Sequence, residues 1–222
     1  MLKFDDKVAL SLPGSKIGIL IMRHISPEFS IGNATEAEEI SRLKEKYGHL
    51  SRKELKKIEP IQSYSTYYKQ FSHSYPVLAQ LESMLQDKKS LHGKSSLLQT
   101  MFLWELDSML LTAGHDITQL HLPLRLTIAS GTESYQSISE KGVTAVNGDM
   151  IICDQKNNVI SSILRGPDRN SRIKETTTDF LFCVYAPPGI DEYYIKTNLE
   201  KLEKRILENS PPATMEMLQV FS

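Results

Sequence analysis

The chain has 222 residues, of which 40% are hydrophobic and 24% charged, with a formal net charge of −1. That is enough chain for a sizeable core in one large domain or two small ones, at an ordinary globular composition. Near-neutral charge excludes a protein that holds nucleic acid through an extended basic field, so any RNA contact needs a local basic patch.

The N-terminus MLKFDDKVALSLPG carries early charges where a signal peptide would be apolar. No run approaches the roughly 20 apolar residues of a membrane span. The expectation is a cytoplasmic protein with no membrane partner. Residues 7–12 (KVALSL) and 16–23 (KIGILIMR) read as strands, and Pro13-Gly14-Ser15 between them predicts a hairpin. Thr35 to Glu38 has the form of a capping box opening a charged helix over about residues 36–46, closed by Tyr47-Gly48. Ser51 to Glu54 repeats the signal before a short helix expected to end near Pro60. The aromatic run YSTYYKQF, residues 64–71, reads as helical. Ser74 reads as the cap of the next helix, with Pro76 in its first turn and Val77, Leu78, Leu81, Met84 and Leu85 as its apolar stripe.

Residues 87–94 read as a polar loop, and residues 95–111 as a helix apolar on most of its circumference, hence central and buried. Gly114 is placed to cap that helix. Strands follow at 124–129, 144–146, 150–154, 159–164 and 180–186, with Asn157-Asn158 marking a tight hairpin. A final amphipathic helix covers residues 191–208, and the tail from Ser210, with Pro211-Pro212, reads as irregular. This order predicts an α+β fold, a mainly antiparallel sheet with helices packed on it. The expected organisation is an N-terminal hairpin and charged helix (1–50) packed on a main domain (51–210), then a tail (211–222).

Phosphate-binding loops, GxSxG elbows and HExxH pairs are absent, and the six histidines have no ligand spacing, so neither metal nor cofactor is expected. Cys153 and Cys183 sit inside apolar runs and read as buried thiols. Two segments carry possible chemistry. In Ala113-Gly114-His115-Asp116, the His and carboxylate are either turn residues or groups presented into a pocket. In the loop RGPDRNSR, Arg165, Arg169 and Arg172 surround Asp168 between buried strands. Arginine clamps carboxylate or phosphate with paired hydrogen bonds, so the loop is either an anionic-ligand site or a solvated turn. The basic residues between Arg42 and Lys57 are interleaved with glutamates and form either a solvated face or a phosphate-tracking surface. Tyr64, Tyr67, Tyr68 and Phe71 read as core rather than as base-stacking platforms.

The run LLQTMFLWELDSMLLTAGHDITQL, residues 97–120, resembles a helix and turn of the B3/B4 domain in the phenylalanyl-tRNA synthetase beta subunit, with Gly114 and Asp116 on its pattern. ISSI-x-x-G-x-D-x-x-S-x-I at 160–173 and VYAPPG at 184–189 are similar to segments of freestanding bacterial B3/B4-domain proteins. Ala113 stands where the synthetase turn has a histidine, and His115 where it has an aromatic residue. The resemblance implies a trans-acting editing hydrolase for the ester of a mischarged aminoacyl-tRNA. Its partners would be the tRNA 3′ end and an amino acid. The implied catalytic residues are His115 and Asp168. The implied substrate-binding residues are Asp116, Arg165, Gly166, Arg169, Ser171 and Thr177. In these roles Asp168 or Asp116 takes the substrate ammonium. Arg165 and Arg169 hold the terminal phosphate or the oxyanion, and His115 orients water or the substrate side chain. The alternative is a non-catalytic module that binds a free amino acid.

Overall fold

The computed structural model describes residues 1–30, 33–86, 95–139 and 141–222, and the side chains of all of these except residues 33–35. The expected polar loop at 87–94 lies outside the described residues. In chain order the elements are β1 (Leu2–Phe4), α1 (Asp6–Ser11), β2 (Lys16–Arg23), α2 (Asn33–Tyr47), α3 (Arg52–Leu55), α4 (Glu59–Gln70), α5 (Pro76–Leu85) and α6 (Ser96–Ser108). There follow β3 (Thr112–Asp116), a 3-10 turn (Ile117–Gln119), β4 (Leu124–Ile128), β5 (Ser134–Gln136), β6 (Gly142–Thr144), β7 (Met150–Cys153), β8 (Val159–Ser162), β9 (Gly166–Pro167), β10 (Phe180–Ala186), α7 (Glu192–Asn209) and β11 (Thr214–Phe221).

The expected α+β class holds, with the strands divided between two main sheets. One runs β1-β4-β7-β8-β9, the other β11-β2-β10-β3, and β5-β6 form a separate ribbon. All pairs are antiparallel except β1 with β4. The second sheet is the core: every residue of β10 is buried, and α7 packs on β2 and β11. Gly18 in β2 permits that approach, since a Cβ there would stand 2.7 Å from Ile195 and 2.8 Å from Leu199 of α7.

Several local expectations are corrected. Residues 7–12 form no hairpin with β2. Asp5 accepts a hydrogen bond from Lys7 N at 3.0 Å and caps α1, while both edges of β2 are taken by β10 and β11. The helix α2 begins at Asn33, so Thr35 is already inside it. The capping box at Ser51 is present, but α3 ends at Leu55, and Pro60 lies in the first turn of α4. Tyr75, not Ser74, is the N-cap of α5. The irregular tail is instead β11, an edge strand whose alternation is broken by a bulge between Met215 and Met217.

Gly114 caps no helix. The helix α6 stops at Ser108, and Met109 turns the chain at φ 57°. Leu110 and Leu111 then carry the apolar run into β3, which is why periodicity does not mark the helix end. Gly114 is needed inside β3 for space: a Cβ would stand 2.7 Å from Ile173 and 2.9 Å from Phe182.

The helix α4 joins the two sheets. The Tyr64 hydroxyl donates to Tyr185 O of β10 and accepts from Leu111 N at 2.9 Å. The Tyr68 hydroxyl donates to Ile163 O at 2.8 Å, just past β8. The Tyr67 hydroxyl donates to Asp149 at 2.6 Å and accepts from Met150 N at 2.7 Å, at the start of β7. These tyrosines are core residues, as expected.

Overpacking one methyl into such a site costs about 1–3 kcal/mol. Gly114→Ala is therefore expected to lower unfolding stability by about that amount in urea titration, with an unchanged m-value. An unchanged midpoint would show that Ile173 and Phe182 give way freely.

Candidate functional site

The segment from Arg165 to Arg172 is stitched to three elements. Asp168 N donates to Ile160 O of β8 at 2.8 Å, and Arg169 N to Gln136 O of β5 at 2.8 Å. Asp116 N at the end of β3 donates to Ser171 O at 2.7 Å. The segment is thus a wall between two cavities. Gly166 and Pro167 line a cavity of about 320 Å³ on one side. Asp168, Asn170 and Ser171 line a cleft of about 400 Å³ on the other.

The smaller cavity lies among α4, α5, β3, β9 and β10 and is walled largely by apolar groups such as Leu111, Ile163 and Pro76. Its polar features include the buried Glu105, which accepts from Thr112 N at 2.8 Å, and the Gln80 Oε1 and Tyr185 hydroxyl oxygens, which have no hydrogen-bond partner among the described residues. The larger cleft is acidic. Glu133, Asp154 and Asp168 line it, with His121, Tyr135 and Asn158, and no arginine is among its described lining residues.

Asp168 is 6% exposed. It accepts from Asn170 N at 2.8 Å, from Ser171 N at 3.2 Å and from the Ser171 hydroxyl. His115 Nδ1 lies 2.8 Å from Ser171 Oγ. The Ser171 hydrogen goes to the carboxylate, which only accepts, so His115 must donate through Nδ1. Its Nε2 is then a bare lone pair, buried and unpartnered. Burial pushes the His115 pKa down to about 3, so the ring is neutral.

Of the residues singled out from sequence, the fold brings Asp168, Ser171 and His115 into one chain of hydrogen bonds. His115 itself is fully enclosed and lines neither cavity. Asp116 and Thr177 form a different pair. The Thr177 hydroxyl donates to Asp116 at 3.0 Å, while Asp116 also accepts from Thr118 N at 3.0 Å and caps the 3-10 turn. Gly166 faces the apolar cavity. Arg165 is exposed, and Arg172 donates to Arg169 O at 2.7 Å. Part of the basic helical surface is paired: Arg42 with Glu39 and Asp107, Lys46 with Asp107, and Arg52 with Glu82. Among the described residues no group of three or more His, Cys, Asp or Glu is arranged around a metal position, and no helix is long and apolar enough to cross a membrane.

Two groups escape sequence reasoning. Asp154, 4% exposed, is held by Lys156 N, Asn158 N and Asn158 Nδ2 at 2.8–2.9 Å, and it meets His121 Nδ1 at 3.0 Å. Burial raises its pKa, but the bonds from Asn158 and His121 outweigh this and the net shift is downward. Asp149 is wholly enclosed and accepts from Tyr67 OH, from the Ser162 hydroxyl and from Leu164 N at 3.1 Å. Burial nevertheless lifts its pKa to about 6. The sequence signals are slight: Asp154 directly follows an apolar strand run and stands three residues before Asn157-Asn158, and Asp149 stands between Gly148 and such a run.

No family model matches the chain, and no curated protein does. Among solved structures the chain is similar to an N-terminal fragment of the phenylalanyl-tRNA synthetase beta subunit from Pyrococcus horikoshii, with a TM-score of 0.53 and 10% identity. The match covers 100% of this chain and 54% of that one, so the chain spans about half the length of the fragment. The likeness is one of fold.

The two buried titrating groups have opposite signs. His115 goes from 6.5 to about 3 on folding, so its contribution is complete above 6.5 and is lost as pH falls towards 3. Asp149 goes from 3.8 to about 6, so its contribution is complete below 3.8 and is lost as pH rises through 6. Between about pH 4.5 and 6 each supplies a slope of up to about 1.4 kcal/mol per pH unit, and the two oppose. Stability of the native chain is therefore expected to vary little there. In Asp149→Asn stability should rise with pH, and in His115→Gln it should fall. Urea titrations across that window check the pair, and slopes of the same sign in both variants would contradict it.

Proposed function

We propose that this protein works on the aminoacyl end of tRNA and hydrolyses the ester of a mischarged aminoacyl-tRNA in trans. The observation that carries the reading is the coincidence of a synthetase beta-subunit fold with a polar cleft walled by Asp168 and Ser171. The B3/B4 resemblance of residues 97–120 and 160–173 concerns the strand and loop that build that wall.

In this reading Asp168 receives the substrate ammonium. Its carboxylate has about four acceptor positions; three donors from Asn170 and Ser171 orient it and leave capacity facing the cleft. His115 acts through Ser171 as a positioning residue. Arg165, exposed beside the wall, meets the terminal phosphate, with Arg169 further along the same segment. Asp116 and Thr177 hold the far end of the segment to β3. An aminoacyl ester is already activated, so positioning it beside water supplies much of the acceleration, and no covalent nucleophile is required.

A second reading is favoured by the cleft's acidity: a module that binds a free amino acid or similar small zwitterion. The two differ in what they bind. The hydrolase should release amino acid from one or more members of a panel of mischarged tRNAs at micromolar protein. Asp168→Asn and Arg165→Ala should slow that release by about 10-fold or more, the worth of a charge-assisted contact. A binding module should leave every aminoacyl-tRNA intact while a free amino acid raises Tm, by about 2.7 kcal/mol of stabilisation at 100 times Kd. Intact tRNAs together with no thermal shift from any of the twenty amino acids would remove both readings.

A further inference from the structure

The same cleft contains a second arrangement, independent of the segment at 165–172. His121 follows the 3-10 turn after β3, and Asp154 directly follows β7; they lie 33 positions apart and meet because Gln155 N donates to His121 O at 2.8 Å. The Asp154 side chain is 3% exposed, whereas that of His121 is 46% exposed. Backbone and side-chain donors from Lys156 and Asn158 fix the carboxylate from the turn side. Asp154 therefore acts as a rigid acceptor, and His121 Nδ1 must be its donor.

The opposite ring nitrogen confirms that tautomer. Nε2 lies 2.7 Å from Lys156 Nζ, and an ammonium only donates. Nε2 thus carries the lone pair, held by an exposed, four-carbon side chain that can move aside. A neutral imidazole oriented by a buried carboxylate, with its basic nitrogen turned away from it, has the geometry of a general base. Its contrast with His115 is one of access, since His115 is sealed while His121 lines the cleft.

We propose that His121, oriented by Asp154, is the proton-transfer residue of this cleft for hydrolysis of an ester. Nε2 takes a proton from a water molecule as the water oxygen bonds to the ester carbonyl carbon. When the tetrahedral intermediate collapses, the bond from carbon to the leaving oxygen breaks and Nε2–H returns the proton to that oxygen. The products are a carboxylic acid and an alcohol. Lys156 Nζ, displaced from Nε2, stands ready for the developing oxyanion. The charged groups facing the ring are Asp154 and Lys156, and Glu133 and Asp168 line the same cleft. Taking the ester to be aminoacyl rests on the proposed function; the proton transfer does not.

The test uses two substrates, mischarged aminoacyl-tRNA and 4-nitrophenyl esters of amino acids, on the full chain. His121→Ala should lower the wild-type rate by about 100-fold or more, and imidazole added to the buffer should restore part of it. Asp154→Asn can donate to Nδ1 and reverse the tautomer. It should lower the rate by about 10-fold or more and move the His121 ring nitrogens in ¹⁵N NMR spectra. Small-ester hydrolysis that depends on His121, with tRNA esters untouched, would support the dyad and remove the tRNA reading. Wild-type rates in His121→Ala would overturn the dyad. So would a loss that imidazole does not restore, or a wild-type chain inert toward both substrates.

Discussion

Everything in the site depends on how α4 ties the two sheets together. Its tyrosines send hydroxyls in different directions, Tyr64 to β10, Tyr68 to the end of β8 and Tyr67 to Asp149 before β7. Each hydroxyl is buried, and a buried polar group left without its partner costs about 1–3 kcal/mol. Any sliding of one sheet against the other would break several of these bonds at once. The angle between the sheets is therefore set by polar contacts inside an otherwise apolar core, with Tyr64 and Tyr75 stacked 4.5 Å apart to hold the helix pair α4–α5. Asp149 is the most exposed to conflict: it needs three donors to offset its burial, and even with them its pKa stays raised.

That clamp explains why one short segment can serve two cavities of opposite character. Gly166 and Pro167 pair with β8 and turn their surface toward the apolar side, among residues carried by α4 and α5. Directly afterwards Asp168 pairs across to Ser137 and faces the acidic side. The arginines belong to this segment but are not among the residues that line the cleft. Electrostatically, the cleft suits a cation such as an ammonium and repels phosphate. A tRNA 3′ end could enter only with its amino-acid end inside and its phosphates outside. The ion pairs on α2 and α3 offset part of the basic charge of the helical surface, in keeping with the formal net charge of −1.

What the sequence made legible follows from which forces are local. Strands β7, β8 and β10 and the hairpin at Asn157 (φ 63°) are legible because short continuous apolar runs and a left-handed turn residue act within a few positions. Helices α4, α5 and α7 are legible for the same reason. The N-terminal hairpin fails because strand pairing is decided by non-local competition: β10 and β11 take both edges of β2, and Asp5 offers residues 6–11 a helix start instead. Gly114 misleads because the same residue type serves a helix cap and a crowded strand, and only the positions of Ile173 and Phe182 distinguish them. In the site, Asp168 stands out as a carboxylate among arginines, but charge counting cannot tell that Arg165 would point to solvent.

The histidines carry this argument to the chemistry. His115 sits in the recognisable motif, yet a fully enclosed imidazole whose pKa falls to about 3 cannot gain a proton near neutral pH. Its Nε2 is enclosed and unpartnered, and the hydrogen bond that its ring makes is with Ser171. Proton transfer needs a ring that is oriented and reachable together. Among the histidines of the cleft and its wall, His121 alone meets both conditions, oriented by Asp154 and accessible at the cleft. In the proposed function the division of labour is then physical: the sealed imidazole fixes Ser171 and through it Asp168, the residue proposed to hold substrate charge, while the open one is the proposed proton carrier. A sequence motif identifies the first because β3 and the wall segment were built around it. The second emerges only when folding closes the 33 positions between His121 and Asp154.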